Sequence, residues 1–183
     1  MKKIILSVVA VAALAFTTPT FAQKNPMVGG AEMYATKDIV DNAVNSKDHT
    51  TLVTAVKAAG LVDVLKGAGP FTVFAPTNAA FDKLPKGTVE TLLKAENKPT
   101  LTKILTYHVV SGKMGSKEIA AAIKAGGGKA ELTTVQGEKL WVWMEGKNLV
   151  IKDEKGGMAK VTIKDVFQSN GVIHVIDTVL MPK

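Results

Sequence analysis

The chain contains no cysteine and no arginine. The first absence excludes a disulfide framework, a thiol nucleophile, cysteine-ligated metal and a lipid attached at a cysteine behind an export signal. The second bears on partners. All 23 basic residues are lysine, whereas bidentate reading of guanine edges and phosphates is largely arginine work, so nucleic acid is not an expected partner. Beyond Phe21 no apolar run is long enough to cross a membrane, so no integral membrane segment is expected in the mature chain.

The first 22 residues carry the pattern of a secretory signal peptide. Lys2 and Lys3 precede the apolar run Ile4–Phe16, and small Thr20 and Ala22 stand at cleavage-site spacing. At ~1.5 Å per helical residue that run reaches only about 20 Å, short of a ~30 Å hydrocarbon core. The mature protein is expected to begin near Gln23, exported to the periplasm or beyond the cell. Losing Lys2 and Lys3 takes the formal charge from +7 to +5. The remaining lysines are scattered among acids, as in Lys152-Asp153-Glu154-Lys155, the pattern of a solvated surface. About 160 mature residues can bury a sufficient core without covalent staples.

Residues 23–35, QKNPMVGGAEMYA, show no periodicity and are expected to be a leader or linker. From residue 36 to about Ala125 the spacing is mostly helical. Ile39, Val40, Ala43 and Val44 share one face; Leu52, Val53, Val56 and Ala59 share another, with Gly60 as a stop. Phe71–Pro76 is apolar enough for a buried strand, and Thr77 is placed to cap a short helix through Phe81. Pro99 suits the first turn of a helix containing Leu101, Ile104 and Leu105, and Tyr107–Val110 has strand composition. After Gly126-Gly127-Gly128 the period falls to two, with strands expected at Leu140–Met144, Leu149–Ile151 and Val161–Ile163. The closing stretch GVIHVIDTVLMP should form one long strand to Pro182. Helices early and strands late give an α+β class.

Little in this sequence is arranged for catalysis. The glycine-rich loops at Gly67 and Gly126 lead into strands, not into the helix N-terminus that a phosphate loop needs. His49, His108 and His174 lack the spacing of a helical metal site, and His108 and His174 sit in apolar stretches where a buried, hydrogen-bonded imidazole is expected. No serine lies in G-x-S-x-G, and no second carboxylate is placed beside Asp63, Asp82 or Asp165. The expectation is no enzyme, no cofactor and no metal. Trp141 and Trp143 share one strand face; it either covers a core edge, the favoured reading, or stacks on sugar rings or bases.

Three ordered segments carry a family resemblance. FTVFAPTNAAF (Phe71–Phe81), Tyr107-His108-Val109-Val110 and GVIHVIDTVLMP (Gly171–Pro182) resemble the signature segments of a fasciclin domain, and DIVDNAVNSKDHTTLVTAVKAAGL resembles its opening helices. The similarity spans residues 36–183, and NPMVGGAEM is similar to the leader of secreted single-domain bacterial members. The resemblance implies a wedge of two β-sheets packed against a bundle of short helices. Phe71, Thr77, Asn78, Phe81, Gly171, His174 and Asp177 would be structural, with Gly171 permitting a turn. It further implies an adhesion or interaction module whose partner is a cell-surface or matrix protein, or a second copy of itself. In animal members the contact segments correspond to Tyr107, His108, Val109 and Val110 and to the pair Asp165-Val166, where valine replaces isoleucine. The alternative is a binder of polysaccharide or a small ligand through Trp141 or Trp143 and surface lysines.

Overall fold

The computed structural model describes residues 25–183; the segment 1–22, read above as a signal peptide, lies outside the described residues. The chain opens with a two-stranded ribbon, β1 (Met27–Val28) and β2 (Ala31–Glu32). A run of short helices follows: α1 (Ile39–Ala43), α2 (Thr50–Ala59) and α3 (Val62–Lys66). After β3 (Phe71–Pro76) come α4 (Asn78–Asp82), α5 (Thr88–Leu92) and α6 (Lys98–Tyr107). Then β4 (Val109–Ser111) and α7 (Ser116–Ala125) lead to β5 (Lys129–Thr133), β6 (Lys139–Glu145), β7 (Asn148–Lys152), β8 (Met158–Gln168) and β9 (Gly171–Ile176). The class is α+β.

Seven strands form one sheet in the order β4-β3-β9-β8-β7-β6-β5. The expected two sheets are its two arms. Strand β8 serves both, pairing with β7 through Met158–Lys160 and with β9 through Val161–Gln168. Within the β9-paired stretch the register slips twice, between Val161 and Ile163 and between Ile163 and Val166, and Asp165 there adopts φ 62°, so the strand bends as a bulged strand does. The arms meet again where Val110 bridges Thr134 and the Val135 N–H donates to the Val109 carbonyl at 2.7 Å. β3 and β9, the first and last signature segments, lie parallel and adjacent from Phe71↔Gly171 to Pro76↔Ile176.

Two cores result. Val73, Ala75, Val109, Ile173 and Val175 face the helices and meet Ile39, Leu52, Val56, Leu101 and Leu105. Phe74, Val110, Leu140, Val142, Ile151 and Ile176 fill the inside of the wedge, closed by Ile119 and Ile123 of α7. The alternation along β3 and β9 sends successive side chains into one core and then the other, which is why both strands are mostly apolar, with Thr72 and His174 the buried polar residues among them.

Four expectations are corrected. The segment read as a linker docks onto the domain: Val28 and Met33 are core residues, and the Asn42 side chain bonds both backbone groups of Tyr34. Its signal was Gly29-Gly30, both at positive φ in a two-residue hairpin turn. Tyr107 ends a helix and His108 caps it, because the spacing Leu101, Ile104, Leu105 continues to them; only Val109–Ser111 is strand. The closing strand stops at Ile176, where Asp177 takes the Lys160 N–H onto its carboxylate. Val44 is exposed, and α1 buries Asn42 beside Ile39 and Val40.

Candidate functional site

The Pro-Thr-Asn corner after β3 is a joint. Thr77 caps α4, its hydroxyl accepting the Ala80 N–H at 3.3 Å. Asn78 reaches the start of α2: its Oδ1 accepts the Thr51 N–H at 3.0 Å, and its Nδ2 donates to the Lys47 carbonyl and the Thr50 hydroxyl. Phe81 is buried and Phe71 partly so. Gly171 is not at positive φ; its role is proximity, since a Cβ there would collide with the Phe71 carbonyl and press on Ile39.

The tyrosine–histidine segment points inward. Tyr107, His108, Val109 and Val110 are all at most 6% exposed, so none of them forms a contact patch in this fold. The Tyr107 hydroxyl donates to the Lys139 carbonyl at 2.8 Å and accepts the Glu154 N–H at 3.1 Å, joining α6 to the far arm. Burial pushes this phenol up to about 12 against the opposing Glu154 N–H. The Leu180 N–H donates to His108 Nε2, so the ring is the neutral tautomer with its Nδ1–H donating to Ile104. Burial pulls its pKa down to about 4.

The second segment is also architectural. Val166 is fully buried. The Asp165 carboxylate accepts the Ser116 N–H at 2.6 Å and the Ser116 hydroxyl, capping α7 from outside because the helix begins after Gly115, which has no side chain. His174 stacks on Phe74 at 5.8 Å and bonds the Met114 carbonyl through Nε2; burial lowers its pKa. Burial would raise the Asp177 carboxyl, but the Lys160 N–H, the Thr178 hydroxyl and Lys83 outweigh it and hold it low. No local pattern announces Asn170, whose side chain ties Ile39 to Leu65 and Gly67, or Asp153, which holds Gly157 and Met181.

What the fold exposes is the outer face of β5 to β8. Two cross-strand ladders run over it: Glu131–Trp141–Lys152–Met158 and Lys129–Trp143–Val150–Lys160. The opposite face, carrying Leu140 and Val142, is the one that enters the wedge core, while on the tryptophan face Val150, opposite Trp143, is buried as well. Trp141 and Trp143 are partly exposed, and Met158 is 60% exposed. Lys129 Nζ stands 5.4 Å from the Trp141 ring centre, Lys139 pairs with Glu131 at 2.6 Å and Lys160 with Glu145 at 3.1 Å. Among the described residues, no cluster of three histidines and carboxylates is placed to hold a metal.

The sequence profile of the fasciclin domain matches residues 47–182. The chain belongs to the fasciclin domain family. It is 44% identical to the protein sll1483 of a Synechocystis strain over 97% of this chain and 96% of that one. It is 34% identical to the immunogenic protein MPB70 of Mycobacterium bovis, over 88% of this chain and 78% of the relative. Against the transforming growth factor-beta-induced protein ig-h3 of Sus scrofa it is 37% identical over 79% of this chain, which is 19% of that longer protein. The fold is similar to about half of a FAS1 domain pair from the insect cell adhesion molecule fasciclin I, with a TM-score of 0.71 and 21% identity over 79% of this chain and 51% of the pair. Within the described residues of this fasciclin domain, no helix is long and apolar enough to cross a membrane.

Proposed function

We propose that the chain is an exported, non-enzymatic interaction module that meets a cell-surface or matrix protein, or a second copy of itself, through the outer face of β5 to β8. The observation that carries this reading is the ladder Trp141–Lys152–Met158, which leaves large apolar side chains exposed among charges on a rigid sheet. Such a mixture of aromatic, methionine and basic groups is the composition of protein contact surfaces. Family membership supports it, since the relatives include a cell surface glycolipoprotein and an insect cell adhesion molecule. Two of the three histidines and one of the candidate carboxylates are engaged in the fold: His108 and His174 bond backbone groups, and Asp165 caps a helix.

The test is aggregation of beads coated with the purified protein, alone and with a surface extract. Clumping that Met158→Lys abolishes, with unfolding unchanged, supports the outer face. Clumping that survives both Met158→Lys and Trp141→Thr refutes it.

The position of Lys129 over the Trp141 ring favours a second reading, an acidic polysaccharide whose sugar stacks on a tryptophan while its anion meets lysine. Salt separates the two readings.

A further inference from the structure

The helix-facing core encloses a cavity of about 80 Å³, bounded by α1, α2, α3, β3 and β9. Its wall is apolar, with Ile39, Leu52, Val56, Val73 and Ile173 among the lining residues, and it reaches the surface at Val64 and Val135, 53% and 44% exposed. Native cores leave few voids larger than a water, which needs roughly 10–15 Å³, while an apolar cavity of ~150 Å³ accepts benzene. The volume here is about half of that, room for a two- or three-carbon chain and too small for a ring.

One polar group in the wall is unspent. His49 is 3% exposed and its Nδ1 lies 2.8 Å from the Ser46 hydroxyl, but Nε2 is buried with no hydrogen-bond partner. The Ala75 carbonyl lies near enough to the ring to favour its protonated form but does not complete a hydrogen bond with Nε2. A buried ring nitrogen left in this state costs free energy unless something in the cavity meets it. The other polar wall groups are committed: the Thr106 hydroxyl donates to the Thr102 carbonyl, and both His108 nitrogens are bonded. Burial lowers the His49 pKa, with Ala75 and Asp48 pulling the other way, so the ring is neutral near pH 7. A carboxylate beside it would be buried without a cation, since Lys57 is exposed at the rim.

We propose that this cavity binds a small, neutral apolar molecule carrying one hydroxyl, a two- or three-carbon alcohol, whose hydroxyl hydrogen-bonds His49 Nε2. The site is separate from the outer sheet face and stands or falls independently of it.

The probes are 1-propanol, propane and propanoate, titrated into the purified protein while the His49 ring nitrogens are followed by NMR. Saturable 1-propanol binding that moves the Nε2 resonance is expected, with propane about five-fold weaker, the preference that one neutral hydrogen bond supplies. Propanoate at pH 7.5 should bind more weakly still. His49→Phe should keep propane binding and lose the preference for 1-propanol. If that variant does not fold, Val53→Phe, from the partly exposed part of the wall, should weaken propane and 1-propanol together. No saturable binding, binding that leaves Nε2 unmoved, or binding that Val53→Phe leaves unchanged overturns the proposal.

Discussion

His108 and Leu180 lie 72 positions apart and are joined by one buried hydrogen bond, the Leu180 N–H donating to Nε2 at 3.0 Å. With Nδ1 donating to Ile104, the ring clamps the C-terminal tail to the end of α6 and has no place for a second proton. In the unfolded chain this histidine returns to its ordinary value of 6.5, while burial holds it at about 4 in the fold. Between those values the unfolded state binds a proton that the folded state refuses. The stabilisation is therefore complete above pH 6.5 and is lost as pH falls toward 4, by on the order of 3 kcal/mol. His49 and His174, also lowered by burial, act in the same direction. Thermal unfolding followed from pH 8 to pH 4 should show a steep acid-side fall, with the His108 ring signals unmoved down to pH 5. A flat profile, or a ring that titrates near 6.5, would contradict the clamp.

Asp165 combines a left-handed backbone with a helix cap. Asp165→Ala removes the acceptor for the Ser116 N–H and puts a Cβ-bearing residue without a compensating side-chain bond at φ 62°, so it should cost about 1–2 kcal/mol. Asp165→Asn keeps an acceptor and tolerates that backbone, and should cost less. Urea unfolding of the two variants decides it; equal midpoints would remove the capping account.

Along β3 and β9 the two phenylalanines and their neighbours differ in burial. Ile173 is 6% exposed in the helix-facing core, whereas Phe71 at the strand start is only partly buried. Ile173→Ala should cost about 2–5 kcal/mol and Phe71→Ala clearly less. Gly171→Ala should also be severe, because the added methyl meets the Phe71 carbonyl across the parallel pair. Loss of secreted yield and of urea midpoint should rank the three variants, and a Phe71 variant weaker than the Ile173 one would reverse the assignment of the core.

The sequence carried most of the architecture, because apolar spacing and turn residues are local signals. The period-two strands after Gly128, the αL stop at Gly60, the Thr77 cap and the Pro99 helix start were all legible. What it hid were relations between distant residues. Asn170 reaches helices more than a hundred positions away, and no local pattern announces that. Tyr107 to Val110 and Val166 looked available as contacts because their resemblance to family segments says nothing about exposure; the end of α6 carries Tyr107 and His108 inward, β4 sends Val109 and Val110 into opposite cores, and Val166 of β8 joins the helix-facing core. The tryptophan face was assignable only once cross-strand register showed which side Leu140 and Val142 take.

Ionic strength discriminates between the two occupants of that face. An acidic polysaccharide held by Lys129, Lys152 and Lys160 depends on charges that screening weakens as the Debye length falls from about 10 Å at 0.1 M salt to about 3 Å at 1 M. A protein contact centred on Trp141, Trp143 and Met158 buries apolar area, which salt does not weaken. If bead clumping persists at 1 M salt and is lost in Met158→Lys, the partner is a protein surface. If it vanishes by 0.5 M salt and Lys152→Gln weakens it while Met158→Lys does not, the sugar reading takes its place. Met158 is what makes the test sharp: a sugar stacked on Trp141 needs the ring and the lysines but not the thioether two strands away, whereas a protein contact spanning the ladder needs all of them.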